Sequence, residues 1–333
     1  MKVTKTAKKV TVIIPIYNAA RYLQRCLDSV YEQTYQELDI IAVNDGSSDE
    51  SLAILRENAN QHKDLTIIDQ KNHGQGHARN RALKKATGEY ILFVDADDYI
   101  DPSTLKILVA EASKTGADAV HCGWKASDDA EQYSPRDIFD TRTLTASQCD
   151  EFLRIPNYFS VNSLYRRAFL RQHGIYFGEG YIYEDNEFIV QVATSANKIS
   201  FVDDPLYVVH FGQNSSTRTA STDKHYKDFL SAVEKSFAVL ESRLPESKAY
   251  LASYFLEKFI IYYQRRVPRK FKRTYLREFV NNMSDKGVTV PKGAAVSKFL
   301  RMCARLKIFT NRRYRLFGWC VFYKTRILPV LKS

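Results

Sequence analysis

With 333 residues, 44% of them hydrophobic, the chain can build one large α/β domain and a smaller appendage, which excludes a disordered tail or linker. Five cysteines (Cys26, Cys122, Cys149, Cys303, Cys320) are odd in number and scattered without CxxC spacing, which argues against a disulfide framework and a structural zinc site. The net charge of +11 is uneven: residues 261–333 hold 19 Lys and Arg against two acids, whereas residues 1–260 hold 30 against 36. A basic end of this kind should seek a polyanion or an anionic membrane surface. The first nine residues are basic and polar and lack the apolar run of a signal peptide, so a cytoplasmic location is expected.

From residue 10 the pattern alternates apolar strand, turn and amphipathic helix, the signature of a mainly parallel sheet covered on both faces. Strands are predicted at 10–17, 38–43, 65–68, 90–94 and 117–122, with helices at 20–33, 48–61, 76–86 and 102–114 between them. Ser47 to Glu50 offers cap hydroxyls followed by acids, Gly74 and Gly76 give a flexible entry, and Pro102 suits a first helical turn. The polar stretch 127–140 reads as a surface loop. Strands return at 159–165 and 198–211 around a helix at 185–196, and the pattern from about residue 222 is helical. The expected division is a catalytic domain over 1–220 and a basic helical region over 221–333.

The strongest chemical signal is Tyr90-Ile-Leu-Phe-Val-Asp95-Ala-Asp97-Asp98, an apolar strand running into three carboxylates. Alternation along an extended chain would put Asp95 and Asp97 on one side at the carboxyl end of the strand, the edge where open α/β sheets bind ligands. Clustered carboxylates repel one another unless a cation joins them, and hard oxygen ligands suit Mg²⁺ or Mn²⁺ bridging a diphosphate. Asp-rich turns are also common without any ligand. Strand one ends in Pro15-Ile-Tyr17-Asn18 and strand two in Asn44-Asp45-Gly46. An aromatic ring and a carboxylate at adjacent strand ends would serve a nucleobase, by stacking and by accepting an N–H bond; each is equally readable as a packing or turn residue.

The combination VIIPIYN, VNDGSSD, GHARNRALKKATGEYILFVDADD and YEDNEF, spread over residues 9–215, closely resembles glycosyltransferase family 2. The resemblance implies a GT-A fold, an inverting mechanism, a UDP-sugar donor and Mn²⁺ or Mg²⁺ as cofactor. It implies Tyr17 and Asp45 as the base-recognition pair with Pro15 shaping the loop, and Arg79 near the nucleotide and donor sugar. It also implies Asp97 as the more direct metal ligand, Asp95 nearer the sugar, and Asp185, supported by Glu184, as the general base. Asn44 stands where many members carry a further aspartate. His210 is an additional candidate for metal or phosphate, equally readable as structural, and Ser216 and Arg218 are weaker candidates for phosphate oxygens. The acceptor is expected to be an envelope polysaccharide or lipid-linked glycan.

Residues 265–333 pair Arg and Lys clusters with aromatics, and the apolar stretch 316–323 is too short to span a bilayer. The segment suits an interfacial helix on anionic lipid, which would place the protein peripherally at the inner face of the cell membrane; a basic bundle covering the catalytic domain is the plainer alternative. Nucleic acid is disfavoured, because no recognisable motif is present and the strand-end acids would repel a polyanion. Two other classes are a metal-dependent nucleotidyltransferase, which lacks its expected glycine-rich loop after strand one, and a non-catalytic protein binding anionic polymers.

Overall fold

A computed structural model describes residues 8–128, 132–135, 143–145, 147–148, 159–210, 223–243, 274–275 and 278. The chain divides into two units, Met1–Ser215 and Ser216–Ser333.

The first unit is built on one mixed sheet of order β3-β2-β1-β4-β9-β6-β10-β5. The strands β1 (Val10–Ile16), β2 (Leu38–Asp45), β3 (Leu65–Gln70) and β4 (Tyr90–Phe93) are mutually parallel. Strands β1 and β4, and all of β2 beyond its first two residues, are buried, which is why they read as unbroken apolar runs. The helices α1 (Ala20–Tyr31), α2 (Ser51–Gln61) and α3 (Gln75–Lys85) connect them. The chain steps β1, β2, β3 in one direction and then returns across β1 to β4. Right-handed crossovers therefore put α1 and α2 on one face and α3 on the other. Gln24 of α1 and Asn58 of α2 accordingly bond side chain to side chain.

Beyond β4 the sheet turns mixed. The strand β9 (Ser163–Arg166) lies antiparallel between β4 and β6 (Ala119–Ala126), and β10 (Lys198–Val209) runs parallel to β6. Two-residue β5 (Tyr99–Ile100) pairs antiparallel with β10. Strand β7 (Gln132–Tyr133) pairs with β6 inside the stretch expected to be loop, and β8 (Thr143–Thr145) pairs with β10. The β10 register shifts around Pro205, which has no N–H to give the ladder. The helices α4 (Thr104–Thr115), α5 (Arg167–Gln172) and α6 (Asp185–Ser195) complete the unit. Phe93, Tyr165, Phe177 and Phe188 form an aromatic core beneath the β4 end, with Phe177 and Phe188 stacked at 4.1 Å.

Two helix starts differ from expectation. Pro102 precedes α4, and Asp101 Oδ1 accepts from the Ser103 amide and hydroxyl at 2.9 and 2.6 Å. Helix α2 starts at Ser51, and the groups there serve both helices: Asp49 Oδ1 accepts from the Ser51 amide at 3.0 Å, while Asp49 Oδ2 and Ser51 Oγ accept from the amides of Ala20 and Ala19 at 2.9 and 3.0 Å, at the start of α1.

In the second unit α7 (Asp223–Arg243) carries Tyr226, whose ring stacks on Tyr275 at 3.8 Å. No helix among the described residues is long and apolar enough to cross a membrane. The basic segment 265–333, apart from 274, 275 and 278, and the candidates Ser216 and Arg218 lie outside the described residues.

Candidate active site

The parallel strands β3, β2, β1 and β4 end at one edge, and the order in which strands are added reverses between β1 and β4, so their carboxyl ends there form the topological switch point. Pro15 helps open it. The Ile13 carbonyl accepts from the Val94 amide at 3.0 Å, and alternate residues face the same neighbour, so the Pro15 nitrogen faces β4 just beyond the last β1–β4 pair, Ile13 with Phe93. A missing donor costs nothing there. Tyr17 follows with 56% of its surface exposed, and Asn18 takes a left-handed φ of 49°. The Asn18 amide donates to Ser47 Oγ at 3.0 Å and its Oδ1 accepts from the Ser48 amide at 2.8 Å, joining the loops after β1 and β2.

Asp45 is buried at the end of β2. Its Oδ1 accepts from Gln70 Nε2 at 2.7 Å and the His73 amide at 2.9 Å, and its Oδ2 accepts from the Gly74 amide at 2.8 Å. The carboxylate thus anchors the loop entering α3, and one of its roughly four acceptor positions is left.

The three acids after β4 do not lie on an extended chain. The Asp98 amide donates to the Asp95 carbonyl at 3.0 Å, closing a turn, so strand alternation does not set their directions. Asp95 Oδ1 accepts from Arg79 Nη2 at 2.6 Å and Gln75 Nε2 at 3.1 Å. Asp97 is half-buried. Burial, then the Asp95 charge, pushes its pKa up to about 6. Asp98 points into the protein: Oδ1 accepts from the His210 amide at 2.7 Å and Oδ2 from the Tyr207 hydroxyl at 2.8 Å. The Tyr207 hydroxyl in turn accepts from the Asp95 amide at 3.1 Å. Burial, together with Asp97 and Asp95, holds the Asp98 carboxyl well above its ordinary range.

Arg79 connects this turn to the second acidic segment. From the buried face of α3 it gives Nη1 to Glu184 Oε1 and Nη2 to Asp95 Oδ1, each at 2.6 Å. Burial alone would lower the pKa of its guanidinium; Asp95 and Glu184 outweigh it and raise it. Its buried Nε has no partner among the described residues. Glu184 is the residue before α6 and Asp185, half-buried, is its first.

Two contacts that sequence reading passed over make this approach possible. A Cβ on Gly76 would lie 1.9 Å from the Gly178 carbonyl oxygen and 3.0 Å from Glu184 Cγ, so only glycine fits between α3 and the strap 175–183. Asn80 then pairs with the Phe177 backbone in both directions, at 2.9 Å each, and reaches Glu179 at 2.8 Å. Both sit in the GHARN segment, whose spacing one turn apart on α3 was the available signal.

His210 is only partly drawn in. Its ring packs 4.7 Å from Tyr22, with Nδ1 3.2 Å from Ser127 Oγ, and burial, then Arg25 and Arg21, lowers its pKa. The described residues hold no group of three or more His, Cys, Asp or Glu placed to share an ion, so His210 is not gathered with Asp95 and Asp97 into a ligand set. The half-buried Asp97 carboxylate beside Asp95 nevertheless has the chemistry of a site for a cation that takes one or two protein carboxylates.

A mixed sheet with carboxylates and an exposed tyrosine at its switch point has the architecture of the GT-A class. The chain carries a glycosyltransferase family 2 domain: the family described as "Glycosyl transferase family 2" matches residues 11–174. It is 33% identical over 215 residues to the uncharacterized glycosyltransferase EpsJ of Bacillus subtilis (strain 168), covering 62% of either chain, so it spans about three fifths of that relative's length. It is 31% identical over 241 residues to the poly(ribitol-phosphate) beta-N-acetylglucosaminyltransferase TarS of Staphylococcus aureus, covering 70% of this chain and 41% of TarS. The fold matches the crystal structure of TarS residues 1–349 in complex with UDP-GlcNAc, with a TM-score of 0.68 at 23% identity over 90% of this chain and 88% of that one. It also matches a Pyrobaculum calidifontis mannosyltransferase in complex with GDP-Man and Mn²⁺, with a TM-score of 0.56 at 21% identity over 98% and 87%.

Proposed function

We propose that the chain is an inverting glycosyltransferase that moves a sugar from a UDP-sugar to a hydroxyl of a cell-envelope polysaccharide or glycolipid acceptor. The observation that supports this reading is the double ion pair of Arg79, which joins Asp95 after β4 to Glu184, the residue before α6 and next to Asp185. Family membership favours sugar transfer over nucleotidyl transfer or mere polymer binding. The uridine base is supported by the UDP-GlcNAc complex of TarS, and an envelope acceptor by the poly(ribitol-phosphate) that TarS is named for.

In this reading Tyr17 stacks on the base and Asp45 accepts a base N–H with its remaining acceptor position. Glu184, committed to Arg79, orients the segment, which leaves Asp185 to take the acceptor's proton. As that oxygen bonds to the anomeric carbon, the carbon–oxygen bond to the diphosphate breaks and the nucleoside diphosphate departs with the electron pair, inverting the carbon. Asp97, with Asp95, would hold Mn²⁺ or Mg²⁺, which when bound neutralises charge on the diphosphate oxygens.

Asp185→Asn tests the assignment. Turnover should fall by about 10²–10⁴-fold, the usual contribution of a positioned base, with nucleotide affinity in Mn²⁺ retained. Turnover near wild type removes Asp185 from the reaction.

A further inference from the structure

Helix α1 presents Arg21 and Arg25 to solvent. Both guanidinium groups converge on Tyr22, at 5.5 and 6.0 Å from its ring centroid, where His210 also packs. Arg25 further lies 4.6 Å over the Tyr99 ring and donates Nη2 to the Asp97 carbonyl at 2.8 Å. Among the described residues neither arginine is ion-paired to a carboxylate. Two cations gathered round one ring repel each other, and most of their N–H donors have no acceptor among the described residues.

The position of this pair matters as much as its charge. Crossover handedness brings α1 to the Asp95–Asp98 turn from one face of the sheet and α3 from the other. Arg79, Glu184 and Asp185 therefore belong to the α3 side, and Arg21 and Arg25 to the α1 side. Inverting displacement imposes the same opposition on the reactants, because nucleophile and leaving group must lie on opposite sides of the anomeric carbon.

We infer that Arg21 and Arg25 form a phosphate subsite on the α1 side of the β4 turn that takes up the charge of the departing nucleoside diphosphate. The inference rests on the donor reading proposed above and adds two residues to it. Guanidinium suits the task, since its planar fork meets two phosphate oxygens at once and its charge does not titrate. Tyr22 and Tyr99 hold the forks by their faces, leaving the N–H edges for oxygen.

Calorimetric titration with UDP and with uridine, each in Mn²⁺, separates the two layers of argument. Wild-type protein should bind UDP far more tightly than uridine; equal affinities would overturn the donor reading itself. Arg21→Gln and Arg25→Gln should each weaken UDP by roughly tenfold, the value of one charge-assisted hydrogen bond, and leave uridine unchanged. Arg21→Gln is the cleaner variant, because Arg21 touches only Tyr22 among the described residues. A double variant that keeps wild-type UDP affinity, or loses UDP and uridine in equal proportion, overturns the subsite while leaving the donor reading intact.

Discussion

If Asp97 holds the cation proposed above, its pKa, raised to about 6 by burial and by Asp95, sets proton and cation in competition near neutrality. The sign follows directly. Above pH 6 the group is ionised and ready for a cation; below it a proton must leave first, so affinity should drop about tenfold per pH unit as pH falls from 6. Mn²⁺ titrations at pH 5, 6 and 7 with UDP present check this, and Asp97→Asn should bind weakly at every pH with no step. Flat wild-type affinity from pH 5 to 7 would contradict it. The positions of Asp95, Asp97 and Tyr17 at strand ends were legible in the sequence, but the turn closed by the Asp98 amide on the Asp95 carbonyl, which replaces the expected alternation, was not. Asp45 was legible as a strand-end acid, but its bonds to the His73 and Gly74 amides depend on a loop 28 residues away. Asn80 was invisible for the same reason, since its partner Phe177 lies 97 residues on.

At the scale of elements, Glu184 before α6 reaches Arg79, and through it Asp95 after β4, where α3 and the strap 175–183 approach backbone to backbone at Gly76. Gly76→Ala would drive a methyl into the Gly178 carbonyl and displace Glu184 from Arg79. Leaving a buried guanidinium with one carboxylate fewer costs about 3–5 kcal/mol, so the variant should unfold several degrees earlier and lose sugar transfer. Thermal unfolding together with turnover checks it, and wild-type values for both would mean the strap yields freely. Strands β1, β2 and β4 were readable because burial leaves long apolar runs with helix-length segments between them. Strands β5, β7 and β9 were missed or misplaced because two to four residues carry too little pattern, and their pairing is set by the partner strand.

For the molecule as a whole, charge separates what pattern cannot. The mildly acidic first 260 residues contain the crevice, and the basic end remains our proposed contact with an anionic membrane. Truncation after residue 264 should abolish co-sedimentation with phosphatidylglycerol-rich vesicles while soluble nucleotide binding persists. Retained sedimentation would move the contact elsewhere.

The bonds that hold the β4 turn bear on how the protein is made. Asp98 waits for Tyr207 and His210, 109 and 112 residues further along the chain. A nascent polypeptide that has extruded only β1 to β4 lacks both side-chain and backbone partners of Asp98, and the turn can be fixed only once β10 and His210 have been made. The turn after β4 is therefore completed by residues of the last strand of its unit.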